Sequence, residues 1–360
     1  MLQLPDFPWN ALAPARERAT AHPGGIVDLS VGSPVDPTPS VIRAAIERST
    51  DAHGYPTTQG ASQLRRAIVD WYARVRNVPN LDGSSVIPTI GSKEFVGLLP
   101  LFLGLGAGDV VVHPRVAYPT YDIGARVVGA TPLPSDDPAE WPSNTKLVWM
   151  NSPANPTGRV DGIETLRAAV ARARELGAVI VNDECYALLN WEGDEAVSIL
   201  DPRVSGDTHD GVLAAYSLSK QSNLAGYRAA FVAGDRTLLA GILETRKHLG
   251  LITPLPVQAA MIAALNDSDH VAAQRSAYRA RRSTLRPALE AAGFRIDHSQ
   301  AGLYLWVTRD EPAFDTVDWF AERGILVAPG VIYGEDGARH VRIALTATDE
   351  RIAAAAARLR

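Results

Sequence analysis

Five short, largely apolar runs in the middle of the chain limit what it can fold into. They are Val110 to His113, Lys146 to Met150, Ala178 to Val181, Val212 to Tyr216 and Ala229 to Ala233. None shows the in–out alternation of a half-exposed strand, so each reads as a strand covered on both faces. Between the second and third lies an amphipathic stretch, Glu164 to Leu176, closed by Gly177 at a C-cap position. Strands alternating with such helices predict an α/β fold, a mostly parallel sheet with helices on both sides.

Upstream, the spacing predicts a short helix over Ser40 to Ser49. A longer one follows over Ser62 to Arg76, with Leu64, Ile68, Trp71 or Tyr72, and Val75 on one face. The first forty residues are punctuated by proline and glycine and read as an arm that packs on other structure. Near the other end, His270 to Ala292 is a long basic helical stretch leading into a strand-like run, Leu303 to Val307. A terminal helix carries Ala354 to Ala357. With 360 residues, more than one core usually holds, two domains are expected. One is a large domain over residues 41–256. The other is a smaller α+β domain made by residues 1–40 with 257–360.

Charge and cysteine narrow the function. A net charge of −5 gives no case for a general nucleic-acid or anionic-membrane binder, and it suits small-molecule partners. The single cysteine, Cys185, excludes an internal disulfide and a cysteine-based zinc site, so no metal is expected. Met1 to Asn10 has neither a basic cluster nor an apolar run, and no stretch of about 18 apolar residues occurs. A cytoplasmic protein is the expectation.

Four motifs sit where α/β proteins build their sites, at strand ends. Ser217-Leu218-Ser219-Lys220 follows the fourth run, with Arg228 eight residues on. A lysine there can form an imine with an aldehyde cofactor and move a proton, and its neighbours suit a phosphate. Alone it reads first as an ordinary surface lysine after a strand. Asp183 ends the third strand, with Tyr186 three residues on. A carboxylate there can keep a pyridine nitrogen protonated, or merely cap a helix. Asn155-Pro156-Thr157-Gly158 is locally a turn, whose asparagine can donate to a phenolate. Gly91-Ser92-Lys93-Glu94 opens a helical segment whose free N–H groups can hold phosphate, or which Ser92 simply caps.

Their order and spacing together resemble the fold type I, class I aminotransferases, from Val31-Gly32 to Arg342. The resemblance implies a pyridoxal 5'-phosphate enzyme. Lys220 would carry the cofactor as an imine and then act as acid and base, Asp183 would pair with the pyridinium, and Asn155 and Tyr186 would bond the phenolic oxygen. Ser92, Lys93, Ser217, Arg228 and Ser219 would form the phosphate cup. Tyr118, in Ala-Tyr-Pro-Thr-Tyr, would stack on the cofactor ring. Tyr55 would reach the phosphate of a neighbouring subunit, which implies a homodimer. Arg342, in Val-Arg-Ile-Ala-Leu, would clamp the substrate carboxylate, although a strand arginine there can also simply face solvent. Asn155 would lie at the substrate too, and Gly32 would let backbone approach it. Cys185 departs from the family's usual aliphatic residue and reads as packing. No match appears for the second arginine that some dicarboxylate-specific members use.

The segments Leu4 to Trp9, His22 to Pro39 and Gly54 to Gly60 are similar to bacterial N-succinyldiaminopimelate aminotransferases. That similarity implies glutamate as donor and N-succinyl-2-amino-6-oxopimelate as acceptor, on the route to diaminopimelate and lysine. Another class I aminotransferase or a carbon–sulfur lyase would share Lys220, Asp183 and Arg342. A non-catalytic, cofactor-sensing regulator would carry a DNA-binding winged helix ahead of the family pattern, which here begins within the first thirty residues. A dead scaffold would have no chemical need for Lys220 and Asp183 together.

Overall fold

The computed structural model describes residues 4–191 and 196–360. In chain order the strands are β1 (Val27–Asp28), β2 (Val86–Ile90), β3 (Val110–His113), β4 (Thr131–Pro134), β5 (Thr145–Met150), β6 (Val179–Asp183), β7 (Val212–Ser217), β8 (Ala229–Gly234), β9 (Arg295–Asp297), β10 (Tyr304–Thr308), β11 (Ile325–Leu326), β12 (Ala328–Pro329) and β13 (Val341–Ala344). The helices that matter below are α1 (Ala13–Thr20), α2 (Ser40–Glu47), α3 (Ser62–Val75), α4 (Ser92–Phe102), α5 (Thr120–Val127) and α6 (Ile163–Leu176). After the single turn α7 (Pro202–Ser205) come α8 (Arg236–His248), α9 (Leu255–Asn266), α10 (Asp269–Ala291), α11 (Ala313–Glu322) and α12 (Asp349–Arg358).

Seven strands form one sheet in the order β2-β8-β7-β6-β5-β3-β4. Every pair from β7 to β4 is parallel, and β8 runs antiparallel to both β7 and β2. The apolar runs are continuous because both faces are covered. Val148, Ile180, Val212 and Ala214 pack with Leu64, Ile68 and Leu166 of α3 and α6. Their neighbours Leu147, Trp149, Val181 and Leu213 turn the other way, onto Phe95, Val96 and Leu99 of α4 and Ile242 of α8. Period-two alternation thus divides each strand between two cores. Helix α3 buries Leu64, Ala67, Ile68, Trp71 and Tyr72 along one stripe. Helix α6 ends as its sequence requires, with Gly177 left-handed at φ 62°. Strand β4, Thr-Pro-Leu-Pro, lies at the sheet edge, where proline is tolerated; its prolines hide it from a pattern search.

The C-terminal region carries a four-stranded antiparallel sheet, β12-β13-β10-β9. Leu305, Val307, Val341 and Ile343 pack there with Leu285 and Leu289 of α10 and Phe320 of α11. Leu12, Ala15 and Ala19 of the first forty residues join the same cluster. That segment is more ordered than its prolines suggest. It holds α1 and also β1, which pairs in parallel with β11 through Val27↔Ile325 and Asp28↔Leu326. Asp36 further ties it to α10, accepting from Arg281 at 2.8 Å and from Gln274 at 2.8 Å.

Candidate active site

The C-terminal ends of β5, β6 and β7 and the start of α4 open on one cavity of about 300 Å³. Lys220, Asp183, Tyr186, Ser92, Lys93, Tyr118, Asn155, Ser217, Ser219, Arg228, Gly32 and Arg342 all line it. Tyr55 does not; it is 99% exposed.

Asp183 is the last residue of β6 and is buried. Its carboxylate accepts from the Tyr121 hydroxyl at 3.0 Å and from the Cys185 backbone N–H at 3.2 Å. Asn151 braces the same point, donating to the Asp183 carbonyl at 2.9 Å, while its own amide oxygen accepts from the Asn155 N–H at 2.7 Å. Among the described residues no cation pairs with Asp183. Burial pushes its carboxyl above the usual range, and the bonds from Cys185 and Tyr121 do not fully offset this. A buried carboxylate aimed into a cavity without a cation is suited to one that a ligand brings.

Beside it stands a cradle for an anion. Gly91, at φ 76°, places Ser92 at the first turn of α4 with its N–H groups free. Glu94 fixes that end, accepting from the Ile90 N–H at 3.1 Å and from the buried Arg246 guanidinium at 2.6 Å. Arg228 adopts a left-handed backbone (φ 56°, ψ 42°), which costs a non-glycine residue about 1 kcal/mol. Its guanidinium thereby comes so close to Gly91 that a Cβ there would sit 2.1 Å from Nη2. Ser217 Oγ donates to Ser219 Oγ at 2.9 Å and accepts from the Ser219 N–H at 3.2 Å. The Lys220 ammonium donates to the carbonyl of Gly32.

The remaining wall comes from the C-terminal region. Arg342 on β13 is buried and donates to Asn155 Oδ1 at 3.0 Å and to the Ser30 carbonyl at 2.7 Å. Its guanidinium lies over the rings of Tyr304 (4.0 Å) and Tyr333 (5.0 Å), and among the described residues no carboxylate meets it. It is not the solvent-facing strand arginine that its position also allowed. The Asn155-Pro156-Thr157-Gly158 turn docks against this region, because Ser299 and Ala301 donate to the carbonyls of Thr157 and Gly158. Gly158 is required: φ is 70° and a Cβ would meet the Ala301 carbonyl at 2.4 Å. Peptide bonds 152–153 and 155–156 are cis.

The family decides what this cavity is. Residues 25–359 match the model of the aminotransferases of class I and II. The chain belongs to that family. It is a pyridoxal-phosphate-dependent aminotransferase, and the site fits the cofactor: a cationless buried acid for a pyridinium, and a Ser–Arg–helix-terminus cradle for a phosphate. Similar relatives span the whole chain. The 4-dedimethylamino-4-oxo-anhydrotetracycline transaminase OxyQ of Streptomyces rimosus is 54% identical over 360 residues, 100% of both chains. The probable aminotransferase Rv1178 of Mycobacterium tuberculosis is 53% identical over 357 residues, covering 99% of this chain and 85% of that one. A probable N-succinyldiaminopimelate aminotransferase from Thermus thermophilus has the same fold, with a TM-score of 0.85 at 29% identity over 97% of each chain.

Sequence reasoning missed several residues of the aminotransferase cavity. Tyr121 is the second tyrosine of Ala-Tyr-Pro-Thr-Tyr, so its motif was in view. Asn151 follows directly on β5, a strand-end position like that of Asp183. Tyr304 and Trp9 carried no signal, because nothing local ties a C-terminal strand or the arm to Lys220. Cys185 lines the wall, buried, and burial holds its thiol well above its ordinary range; packing, not nucleophilic attack, suits it.

Proposed function

We propose that this aminotransferase moves the amino group of glutamate to N-succinyl-2-amino-6-oxopimelate, on the route to diaminopimelate and lysine. The observation that carries the reading is a pair of cations on one cavity. Arg342 is buried, and among the described residues no acidic partner meets it. Lys93 is exposed on the wall, its ammonium 6.0 Å from the centre of the Tyr118 ring, and in this reading its side chain serves the distal carboxylate while only the backbone at Ser92 and Lys93 serves the phosphate. A substrate with a carboxylate at each end, whether donor or succinylated acceptor, meets both. The segments Leu4 to Trp9 and His22 to Pro39 support the same reading, as does the likeness to the Thermus thermophilus protein.

The cofactor supplies the aldehyde and the electron sink. Lys220 would hold it, and its amine is the group placed to take up and release the substrate's α-proton. Asp183 would face the cationic ring nitrogen, and Tyr121 and Cys185 hold that carboxylate in place. Asn155 accepts from Arg342 through its oxygen, which leaves its amide N–H₂ free to donate; with the Tyr186 hydroxyl it would hold the cofactor's phenolic oxygen. Arg342 fixes the α-carboxylate in a bidentate fork that a lysine would not reproduce. Tyr118, on the cavity wall, would stack on the cofactor ring. Tyr55, exposed and off the cavity wall of its own chain, reaches across a homodimer to the neighbouring phosphate. The assembly works in the cytoplasm.

A second reading has its own support: 54% identity along the full length to OxyQ favours a polycyclic ketone as acceptor. Steady-state kcat/KM with glutamate and each acceptor decides. Higher values with the succinylated oxo acid support the first reading; a preference for 4-dedimethylamino-4-oxo-anhydrotetracycline replaces it. Pyruvate released from cystathionine without any acceptor would turn the assignment to a carbon–sulfur lyase.

A further inference from the structure

Tyr304, on β10, stands at a crossing point of the site. Its hydroxyl lies 3.1 Å from the hydroxyl of Tyr186. Its ring supports the Arg342 guanidinium at 4.0 Å and meets the Tyr186 ring edge-on, with centroids 5.7 Å apart. It also explains Gly32, since a Cβ on that residue would sit 2.1 Å from the Tyr304 hydroxyl. Gly32 in turn accepts from Lys220 through its carbonyl. One tyrosine therefore touches the carboxylate clamp and a residue assigned to the cofactor, and neighbours the anchor of the reactive lysine.

Proton counting sets the direction of the tyrosine pair. A phenol carries one O–H. If Tyr186 gives its proton to the cofactor's phenolic oxygen, it can join Tyr304 only as an acceptor, and Tyr304 must donate. Facing Tyr304 are Lys220 and Arg342, the hydroxyls of Tyr186, Tyr118 and Tyr333, and the Cys185 thiol. The contact between the two hydroxyls admits either direction by itself, so the cofactor's claim on the Tyr186 proton decides it.

We propose that Tyr304 is a positioning residue: it donates to Tyr186, orients that hydroxyl toward the cofactor oxygen, and so links the Arg342 carboxylate site to the proton affinity of the Lys220–cofactor nitrogen. The inference rests on the assignment of Lys220 and Tyr186 to the cofactor. A hydrogen bond that accepts from one partner becomes a stronger donor to the next. A stronger bond to the phenolic oxygen competes with the proton on the adjacent nitrogen and lowers that nitrogen's pKa.

The test is a pH titration of the visible absorbance of the purified holoenzyme. Tyr304→Phe keeps the ring on Arg342 and removes only the hydroxyl. The expected result is a titration midpoint raised by about half a unit or more, with no additional rise when Tyr304→Phe is combined with Tyr186→Phe. An unmoved midpoint in Tyr304→Phe overturns the inference while leaving the cofactor assignment intact. An equal rise in the Tyr186→Phe background also overturns it, because Tyr304 would then act without Tyr186. A parent enzyme that shows no visible band even with added cofactor overturns both.

Discussion

The large sheet and the small antiparallel sheet build the same cavity by different means. The large sheet delivers Asp183, Ser217 and Lys220 at or just beyond the ends of adjacent parallel strands, each within a short motif. Asp183 and Ser217 are held from within the large sheet and its helices, by Tyr121 and Ser219, whereas Lys220 reaches across to the carbonyl of Gly32 in the arm. The C-terminal sheet delivers Arg342 and Tyr304 on two paired strands, with Trp306 opposite Arg342. Arg342 is fixed by partners far away in sequence: Asn155, 187 positions off, and Ser30, 312 positions off. The strand-end side of the cavity thus belongs mainly to one sheet, tied to the arm through Lys220. The Arg342 side depends on the arm, the Asn155 to Gly158 turn and β13 meeting correctly. On the proposed roles, a defect on the Arg342 side should spare cofactor binding.

The hardest test of that division is Lys220→Ala. Removing the amine should abolish the visible cofactor band and lower turnover by roughly 10⁵-fold or more; retained turnover would remove Lys220 from the chemistry. Asp183→Asn should keep cofactor bound yet slow the proton-transfer step by about 10³-fold, read in single turnovers with glutamate. Near-normal rates would contradict its place under the ring nitrogen. Arg342→Ala should raise the half-saturating concentrations of both amino acid and oxo acid by about 100-fold, the scale of losing one partner of a buried charged contact. Cofactor content should not change, and a fall in it would break the comparison between the two halves. Tyr121→Phe removes one hydrogen bond to Asp183 and should cost about tenfold in turnover or less. A loss as large as that of Asp183→Asn would mean that the hydroxyl does more than hold the carboxylate.

What could be read in advance follows the same line. Continuous apolar strands and a glycine-ended helix are local signals, and β3, β5, β6, β7 and α6 stand close to where the sequence places them. Asp183, Asn155 and Lys220 could be singled out because strand-end position and spacing coincide there, and all three line the one cavity. Strand β2 and helices α8 and α9 have no such marker. The first forty residues look like loop because their prolines dominate the pattern, yet α1 and β1 form once α11, α12 and β11 offer a surface. Tyr304 was invisible for the same reason that Arg342 was legible only through its motif: the partners of both are brought by tertiary docking, which local spacing does not encode.

Strand β4 has a consequence for the life of the protein outside its reaction. Thr131 and Ser135 donate inward, to Asp109 and His113 on the β3 side. In a parallel strand alternate residues turn their donor positions outward, here Pro132 and Pro134, which have no N–H to offer. The outer rim of the large sheet therefore presents no donors to a passing chain at those positions. A partly unfolded neighbour meets only acceptors there, so an eighth strand would add with half its ladder missing, and crowding should rarely convert this edge into a seed for fibrils.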